Sequence, residues 1–317
     1  MFDWFENLFA TLHGHVFETA VLPLLHALGY GGYAEQAFDA TEFFLIGAIE
    51  ITMLAIVLGS LEKWRPLEKQ NEDDKRVDVI YTMLQRLGLL PLLLFALLTP
   101  LVDGFDGWLR MRDIIPWKLE DALPYLNDSR LLSFAAYLVI LDFVAYWLHR
   151  WQHRVPYWWA LHSLHHSQRS MSFWSDDRNH LLDDVLIDGA FALVALLIGV
   201  PPVAFVTIVV ATRVIESLSH VNLKLSFGRI GEYLLVSPRF HRVHHAIDIG
   251  HEGRARGCNF AVLFPAWDVL FGTANFENIY PPTGVREQLE GVDYGRGFWL
   301  QQWLGIKRLG NSLVNNP

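Results

Sequence analysis

The chain has 317 residues, 52% of them hydrophobic, and a mean hydropathy of +0.23, which argues against a soluble protein. A net charge of −9 leaves no basic face for nucleic acid, so we exclude nucleic-acid binding. Cys258 is the only cysteine, which excludes an internal disulfide framework and a cysteine-ligated zinc or iron–sulfur site. A metal here would need nitrogen or oxygen ligands, and 14 histidines supply nitrogen.

Apolar runs predict an all-α integral-membrane bundle of about four transmembrane helices. Residues 1–41 place apolar side chains near helical spacing and are interpreted as an amphipathic, interfacial segment. The following runs are interpreted as membrane-spanning: 43–61, 79–102 with a kink at Pro91, 131–149, and a helical hairpin over 185–218 that turns at Pro201-Pro202. Residues 42–275 are therefore the predicted membrane domain, and 276–317 a cytoplasmic tail.

The distribution of basic residues predicts the orientation in the membrane. Residues 1–42 contain no Lys or Arg, whereas the loop after the first span carries five, from Lys63 to Arg76. Positive residues favour the cytoplasmic side. The 103–130 loop is then external, and the histidine-rich segments, with a helical cap that carries them, lie at the cytoplasmic face. We expect the bacterial inner membrane.

Three histidine clusters dominate the second half of the chain: His149 with His153; His162, His165 and His166; and His241, His244 and His245. On a helix, positions i, i+3 and i+4 share a face, so each cluster can aim its imidazoles at a common point. Eight nitrogen ligands exceed the needs of one metal and favour two. Imidazole suits Fe, Zn, Cu and Ni, so the ligands leave the metal open. The alternative is a run of solvated interfacial residues.

Further polar residues lie near these clusters. His180 and His220 each end a predicted hairpin helix at the cytoplasmic side and are expected to be ligands or partners of ligands. Asp142 lies two helical turns before His149 and is expected to accept a hydrogen bond from a ligand imidazole, with a helix–helix hydrogen bond as the alternative. His13, His15 and His26 are expected to be ordinary packing or surface residues.

Several motifs resemble those of the fatty acid hydroxylase / sterol desaturase superfamily of membrane di-iron enzymes. The resemblance covers about residues 130–275. Beyond the three clusters it consists of these segments: Arg178-Asn179-His180, His220-Val221-Asn222, the lead-in Ser237-Pro238-Arg239-Phe240 to the third cluster, Asn259-Phe260, Trp267-Asp268 and Phe271-Gly272-Thr273.

The resemblance implies two iron ions per chain, O₂ as the oxidant, and ligands drawn from ten histidines: His149, His153, His162, His165, His166, His180, His220, His241, His244 and His245. We also expect catalytic roles for Asp142, from its position before His149, and for Arg178, from the resemblance. The sequence carries no flavin or nicotinamide fingerprint, so electrons must come from an external donor, a redox partner of the cytochrome b5 or ferredoxin type.

The expected reaction is hydroxylation of a C–H bond in a membrane lipid, fatty-acyl or sterol-like substrate. An apolar C–H bond has no acidic proton, so it needs an oxidant stronger than any side chain. Desaturation by the same kind of enzyme is the first alternative, because both reactions begin by removing hydrogen. A non-catalytic metal- or haem-binding membrane protein and a zinc hydrolase are alternatives of other classes.

Overall fold

The computed structural model describes residues 2–114, 118–247 and 257–315. These residues form helices and no sheet, with two isolated antiparallel bridges, Pro66 to Leu223 and Ala246 to Thr283. The helices, in chain order, are α1 (Phe2–Val16), α2 (Leu22–Ala27), α3 (Ala34–Trp64), α4 (Glu72–Arg86), α5 (Leu89–Arg110), α6 (Leu119–Ala122), α7 (Arg130–Arg154), α8 (Pro156–His166), α9 (Leu181–Ile198), α10 (Pro202–Ser219), α11 (Gly228–Leu234), α12 (Pro238–His244), α13 (Ala266–Leu270) and α14 (Phe298–Asn315). A π-helical turn (Phe17–Val21) joins α1 to α2, and 3₁₀ turns lie at Gly31–Tyr33, Pro124–Asp128 and Arg286–Glu290.

Four helical stretches in the described residues are long and apolar enough to cross a membrane: Glu6–Ala27, Gly31–Trp64, Arg130–Arg154 and Pro202–Ser219. The predicted all-α membrane fold is confirmed. The predicted spans 43–61 and 131–149 lie inside α3 and α7. The N-terminal stretch meets the length and composition of a span as well as those of the surface helix expected from the sequence.

The predicted single span over 79–102 is wrong. α4 ends at Arg86 and α5 begins at Leu89, and Gly88 between them has a φ of +83°. Glycine adopts this left-handed conformation without a steric penalty and commonly ends helices. Pro91 causes no break because it lies in the first turn of α5, where its missing N–H has no helical partner to lose.

The predicted hairpin is confirmed as two helices. α9 ends at Gly199, which has a φ of +68°, and α10 begins with Pro202 in its first turn. α9 starts at Leu181, four residues before the predicted start at residue 185. The apolar run did not show this start because the first two turns of α9 carry Asp183, Asp184 and Asp188. With three acidic residues this helix is not among the four candidate spans.

A buried ionic cluster joins the helices on one side of the histidine-rich region. The Arg86 guanidinium donates to Glu50 of α3 (2.7 Å) and to Asp176 and Asp177 of the loop after α8 (2.8 Å each). Its side chain is 1% exposed. Charges within a membrane protein persist only when they are paired, so this cluster fixes α3, α4 and the 176–177 loop together.

Helix packing completes the support of the site. Tyr137 and Leu141 of α7 form a buried apolar cluster with Ile208 of α10. α8 follows α7 directly after a bend at Val155-Pro156 and packs against α14, while α12 packs against α10. The carboxyl ends of α7, α8, α10 and α12 therefore meet at one end of the bundle.

Candidate metal centre

Nine buried histidines converge where these four helices end, none more than 9% exposed. Their ring nitrogens form groups whose possible ligand atoms lie within 4.8 Å of one another: His149, His153, His162 and His166; His165, His220, His241 and His245; and a linking set of His166, His244 and His245. No exposed acidic cluster is involved, and the donor set is entirely nitrogen. Such sets suit Fe, Zn, Cu or Ni.

Each histidine triplet is divided, which corrects the prediction that a triplet shares one point. His162 and His166 lie in the first group, and His165 lies in the second. The second triplet is divided in the opposite sense: His241 and His245 lie in the second group, whereas the ring of His244 lies 4.4 Å from that of His149.

Helix geometry explains this division. Residues i and i+4 point about 40° apart around the axis, whereas i+3 and i+4 point about 100° apart. A triplet at i, i+3 and i+4 therefore sends two rings in one direction and one ring in another. His244, with His166 and His245, forms the linking set that connects the two main groups.

The spacing of the second group fits a metal ion. The Nε2 atoms of His165 and His220 lie 3.3 Å apart, those of His220 and His241 3.0 Å, and those of His241 and His245 3.1 Å. Two nitrogens that each bind a metal at about 2.1 Å lie about 3.0 to 3.4 Å apart for ligand angles from 90° to tetrahedral. The observed spacing is that of adjacent ligands on one ion.

The tautomer of His220 supports the same interpretation. Its Nδ1 donates to the carbonyl of Glu216 (2.8 Å), so in the neutral ring Nε2 carries a lone pair. His241 Nε2 approaches both His220 and His245, and hydrogen bonds alone would require its one proton to serve both neighbours. A cation accepts all these lone pairs at once.

Hydrogen-bond partners outside the cluster also orient His149 and His162 of the first group and His244 of the linking set. Three Nδ1–H groups donate to fixed oxygens: His149 to the Phe260 carbonyl (2.9 Å), His162 to Asp183 Oδ2 (3.0 Å), and His244 to the Cys258 carbonyl (2.8 Å). Nε2 of His162 is buried with no hydrogen-bond partner among the described residues. Such outer hydrogen bonds fix the tautomer and orientation of metal-binding histidines.

Burial keeps these imidazoles uncharged. Burial, followed by repulsion from neighbouring histidines, lowers the pKa well below the usual range for His165, His166, His241 and His245. Burial also lowers the pKa of His220 to about 4, although its hydrogen bond to the Glu216 carbonyl opposes that shift. Neutral rings have the free lone pairs that metal binding requires.

Asp142 does not contact an imidazole, which corrects its expected partner. Its carboxylate accepts hydrogen bonds from the backbone amides of Leu263 (2.9 Å) and Phe264 (3.1 Å) and from Trp267 Nε1 (2.8 Å). It therefore anchors to α7 the loop whose Phe260 carbonyl orients His149.

The Asn259-Phe260 and Trp267-Asp268 motifs belong to the same loop. Asp268 accepts from the amides of Phe260 and Ala261, at 2.9 and 2.8 Å. Asn259 has a φ of +58°, an uncommon conformation that asparagine tolerates, and its side chain donates to the Phe240 carbonyl (2.9 Å). These contacts attach the loop to α12 and explain the polar residues of the motif.

His180 and Arg178 lie outside the cluster. His180 accepts at Nδ1 from the Leu182 amide (3.1 Å) and donates from Nε2 to the Gln302 carbonyl (2.9 Å), so neither nitrogen remains for a metal. Arg178 donates to Asp78 and to the Asp74 carbonyl of α4. Among the ten predicted ligands, His180 is the one that the structure does not bring to the centre.

Asp183 is a site residue that the sequence analysis did not identify. It accepts from His162, from Gln152 Nε2 (2.8 Å) and from Trp158 Nε1 (2.7 Å), and is 2% exposed. It lies three residues after His180, in the first turn of α9, the first helix of the predicted membrane hairpin. An acidic residue next to a predicted membrane helix often belongs to a functional site, and this position could have identified Asp183 from the sequence.

Candidate membrane spans with two groups of buried histidines at one end define a helical membrane protein with a candidate multihistidine metal site. Residues 134–273 match the sequence model of the fatty acid hydroxylase family. This histidine-bearing part of the chain is therefore similar to that family, in agreement with the resemblance that the motifs indicated.

Curated relatives agree with this assignment. The chain is 29% identical to alkylglycerol monooxygenase of Homo sapiens over 243 residues, which cover 75% of this chain and 48% of that protein. It is 29% identical to ornithine lipid hydroxylase OlsE of Rhizobium tropici over 177 residues, 56% of this chain and 51% of that one. The chain thus spans about half the length of the curated relatives it matches. No solved structure matches it.

Proposed function

We propose that the protein binds two iron ions through its nine clustered histidines and uses O₂ to hydroxylate a membrane lipid. The observation that carries the proposal is the pair of interlocked groups of buried, neutral imidazoles, which together offer more ligands than one ion needs. The names of the relatives, a monooxygenase and a hydroxylase that act on lipids, support the lipid substrate. When bound, iron would supply the activation of O₂ and the oxidising power that side chains lack.

The protein's own residues would hold and shield the metals. Asp183 and the carbonyls of Phe260, Cys258 and Glu216 fix ring orientations, so Nε2 faces the centre in His149, His162, His244 and His220. Burial excludes bulk water from the centre, which limits side reactions of a strong oxidant. The position at the end of the spans would give a lipid lateral access while its polar end stays at the membrane surface.

The electron supply and the orientation are parts of the same proposal. Because the sequence carries no flavin or nicotinamide fingerprint, a separate protein of the cytochrome b5 or ferredoxin type would deliver electrons. The basic segment from Lys63 to Arg76 favours a cytoplasmic metal centre, where such donors are found.

Metal analysis and isotope labelling test the proposal. Protein purified in mild detergent from iron-replete cells should contain about two iron ions per chain. Cells with and without the protein, grown under ¹⁸O₂, should differ by a lipid that carries one ¹⁸O atom on carbon. A new double bond without label would identify a desaturase instead. Absence of bound metal after ferrous reconstitution would defeat the proposal.

A further inference from the structure

Helix α14 turns its polar side inward and its apolar side outward. Apart from Phe298, its buried residues are polar or glycine: Gln301, Gln302 and Gly305. Large apolar side chains lie along the opposite side at helical spacing and are 39 to 79% exposed: Trp299, Trp303, Ile306, Leu313 and Val314. We call these five residues the apolar face. A helix in contact with water normally has the reverse arrangement, with its apolar stripe against the protein core.

Hydrogen bonds explain why the polar side of α14 faces inward. Gln302 accepts at Oε1 from the Leu181 amide (2.9 Å), and its Nε2 donates to the Asn179 carbonyl (3.0 Å). Nε of Arg308 donates to the carbonyl of Ala160 in α8 (3.1 Å). The apolar face cannot turn toward the protein without breaking these bonds and leaving buried polar groups unpaired. The rotation of α14 about its axis is therefore fixed.

The same contacts place α14 level with the end of a candidate membrane span. α9 and α10 have 18 residues each, and the short turn at 199–201 makes them antiparallel. Antiparallel helices of equal length have level ends, so Leu181 at the start of α9 lies at the height of Ser219. Ser219 is the last residue of the candidate span Pro202–Ser219. Because α14 is hydrogen-bonded to Leu181, it lies at the height where that span would leave a bilayer.

The side chains of the apolar face suit the surface of a membrane. Tryptophan is enriched at the membrane–water interface because its ring is apolar while its N–H is polar, and the face carries two. Lys307 lies beside the face, with its Nζ 5.5 Å from the ring centroid of Trp303. The sequence of α14 contains no Asp or Glu, although the whole chain has a net charge of −9. This combination is complementary to the acyl chains and phosphate groups of phospholipids.

We propose that α14 lies in the surface of the bilayer as an interfacial helix, with its apolar face among the lipid chains and Lys307 at the phosphate groups. The helix lies outside residues 134–273, the part of the chain that matches the family model. It packs against α8, which carries His162, His165 and His166. A membrane-bound α14 holds the histidine-bearing end of the bundle against the bilayer. This inference requires neither a bound metal nor an oxidation step, so it does not rest on the proposed function.

Spin labels on introduced cysteines test the inference with the full chain in phosphatidylcholine nanodiscs. Trp303→Cys and Ile306→Cys place a nitroxide on the apolar face. Val139→Cys, at an exposed position in the middle of α7, reports the membrane interior, and Glu290→Cys, at an exposed position of a 3₁₀ turn, reports water. Cys258 is buried, and the parent chain treated with the same label gives its background.

Two relaxation agents distinguish lipid from water: O₂, which concentrates in hydrocarbon, and a water-soluble nickel chelate. We expect the labels at positions 303 and 306 to relax faster with O₂ than with the chelate, as the label at position 139 does. The label at position 290 should show the reverse order. The measurement is the ratio of the two relaxation rates at each position.

Charge variants make the test specific to the apolar face. Trp299→Glu should reverse the order of the two rates at position 306, because a carboxylate opposes insertion into hydrocarbon. Asn311→Glu is the matched control: it adds the same charge at an exposed position about 120° around the helix from Trp299 and should leave the label at 306 in lipid. Both positions are exposed, so neither change removes a core contact.

The outcomes are distinct from those of the proposed function. Faster relaxation with the chelate at both 303 and 306 would place the face in water and overturn the inference. Slow relaxation with both agents would show that a second copy or another protein covers the face, which would also overturn it. Neither result bears on iron binding or lipid oxidation. A chain whose labels lie in lipid but which oxidises no lipid would support the inference and count against the proposed function.

Discussion

His180 and His220 flank the two ends of the α9–α10 hairpin and have different environments. His220 follows the last turn of α10, where its Nδ1 donates to Glu216 and its Nε2 faces His165 and His241. His180 precedes α9, caps that helix through Nδ1 and donates to α14 through Nε2. The difference arises because the free amides at a helix start compete for a lone pair, whereas the carbonyls at a helix end accept a proton and leave the lone pair to a metal.

Alanine substitutions distinguish these two roles. His220→Ala should lower metal content markedly, because it removes one of four adjacent ligands. His180→Ala should leave metal content near that of the parent while lowering thermal stability, since it deletes a helix cap worth about 0.5 to 2 kcal/mol. Elemental analysis and thermal unfolding measure both, with the exposed His15→Ala as control. Equal metal loss in the two variants would contradict this assignment.

Asp183 is the charged partner of the first histidine group. Its carboxylate accepts from three donors, and in Asp183→Asn one amide N–H₂ would face a donor instead. We expect metal affinity to fall about 10- to 100-fold, as is usual for outer partners of metal-binding histidines. Competition with a chelator measures the change. Asp39→Asn, at an exposed position, should have no effect; parent-like affinity in Asp183→Asn would remove Asp183 from the site.

At the scale of helices, a close approach of α3 to the end of α4 positions the buried ionic cluster. Gly47 of α3 faces the Arg86 carbonyl, and a Cβ atom on residue 47 would lie 1.5 Å from that oxygen. The same Arg86 holds Asp176 and Asp177 in the loop that follows the second histidine cluster. Only glycine permits this contact, so the residue links a membrane helix to the histidine-bearing segment.

The Gly47→Ala variant tests that contact. It should destabilise the protein by about 1 to 3 kcal/mol, the usual cost of overpacking, because the obstructing atom is backbone and cannot rotate away. Gly14→Ala in α1 is the matched control: a Cβ there has nothing within 4 Å, so the helix should be unaffected or slightly stabilised. Thermal or denaturant unfolding in detergent compares the two. Equal stability would show that the α3–α4 contact relaxes easily.

At the scale of the whole molecule, the helices place the histidines at one end of the bundle. α7 ends in His149 and His153, and α10 ends next to His220, whereas α5 leads away from Arg86 for 22 residues, or about 33 Å. α5 is not among the four candidate spans, but its length would cross a membrane, and we predict that its 103–110 end lies on the opposite side from the histidine cluster.

Reporter fusions test this topology. Because basic residues from Lys63 to Arg76 favour the cytoplasm, a reporter after Gly291 should be cytoplasmic and one after Gly107 external. Paired fluorescent-protein and alkaline-phosphatase fusions report the two sides, and a fusion after Lys69 serves as the cytoplasmic control. Signals from the same side at Gly291 and Gly107 would contradict the arrangement.

The sequence by itself determined the membrane class, the main helices and most of the histidines that the structure brings together. The apolar runs at α3, α7 and α10 correctly predicted candidate membrane spans, because the ability to cross a bilayer depends on composition over about 20 residues, which is a local property. The sequence predicted correctly that the clusters at His149, His162 and His241 come together, because the spacing within each cluster places its rings at neighbouring positions of one helix.

Only the tertiary structure decided which histidines lie together and which groups orient them. The division of each triplet, the separation of His180 from His220, and the contacts of Asp142 and Asp183 all depend on residues more than 20 positions away in the chain. Periodicity records the direction of a side chain around its own helix and carries no information about the helix that faces it. The long-range packing of α7, α8, α10 and α12 supplies that information, and with it the geometry of the site.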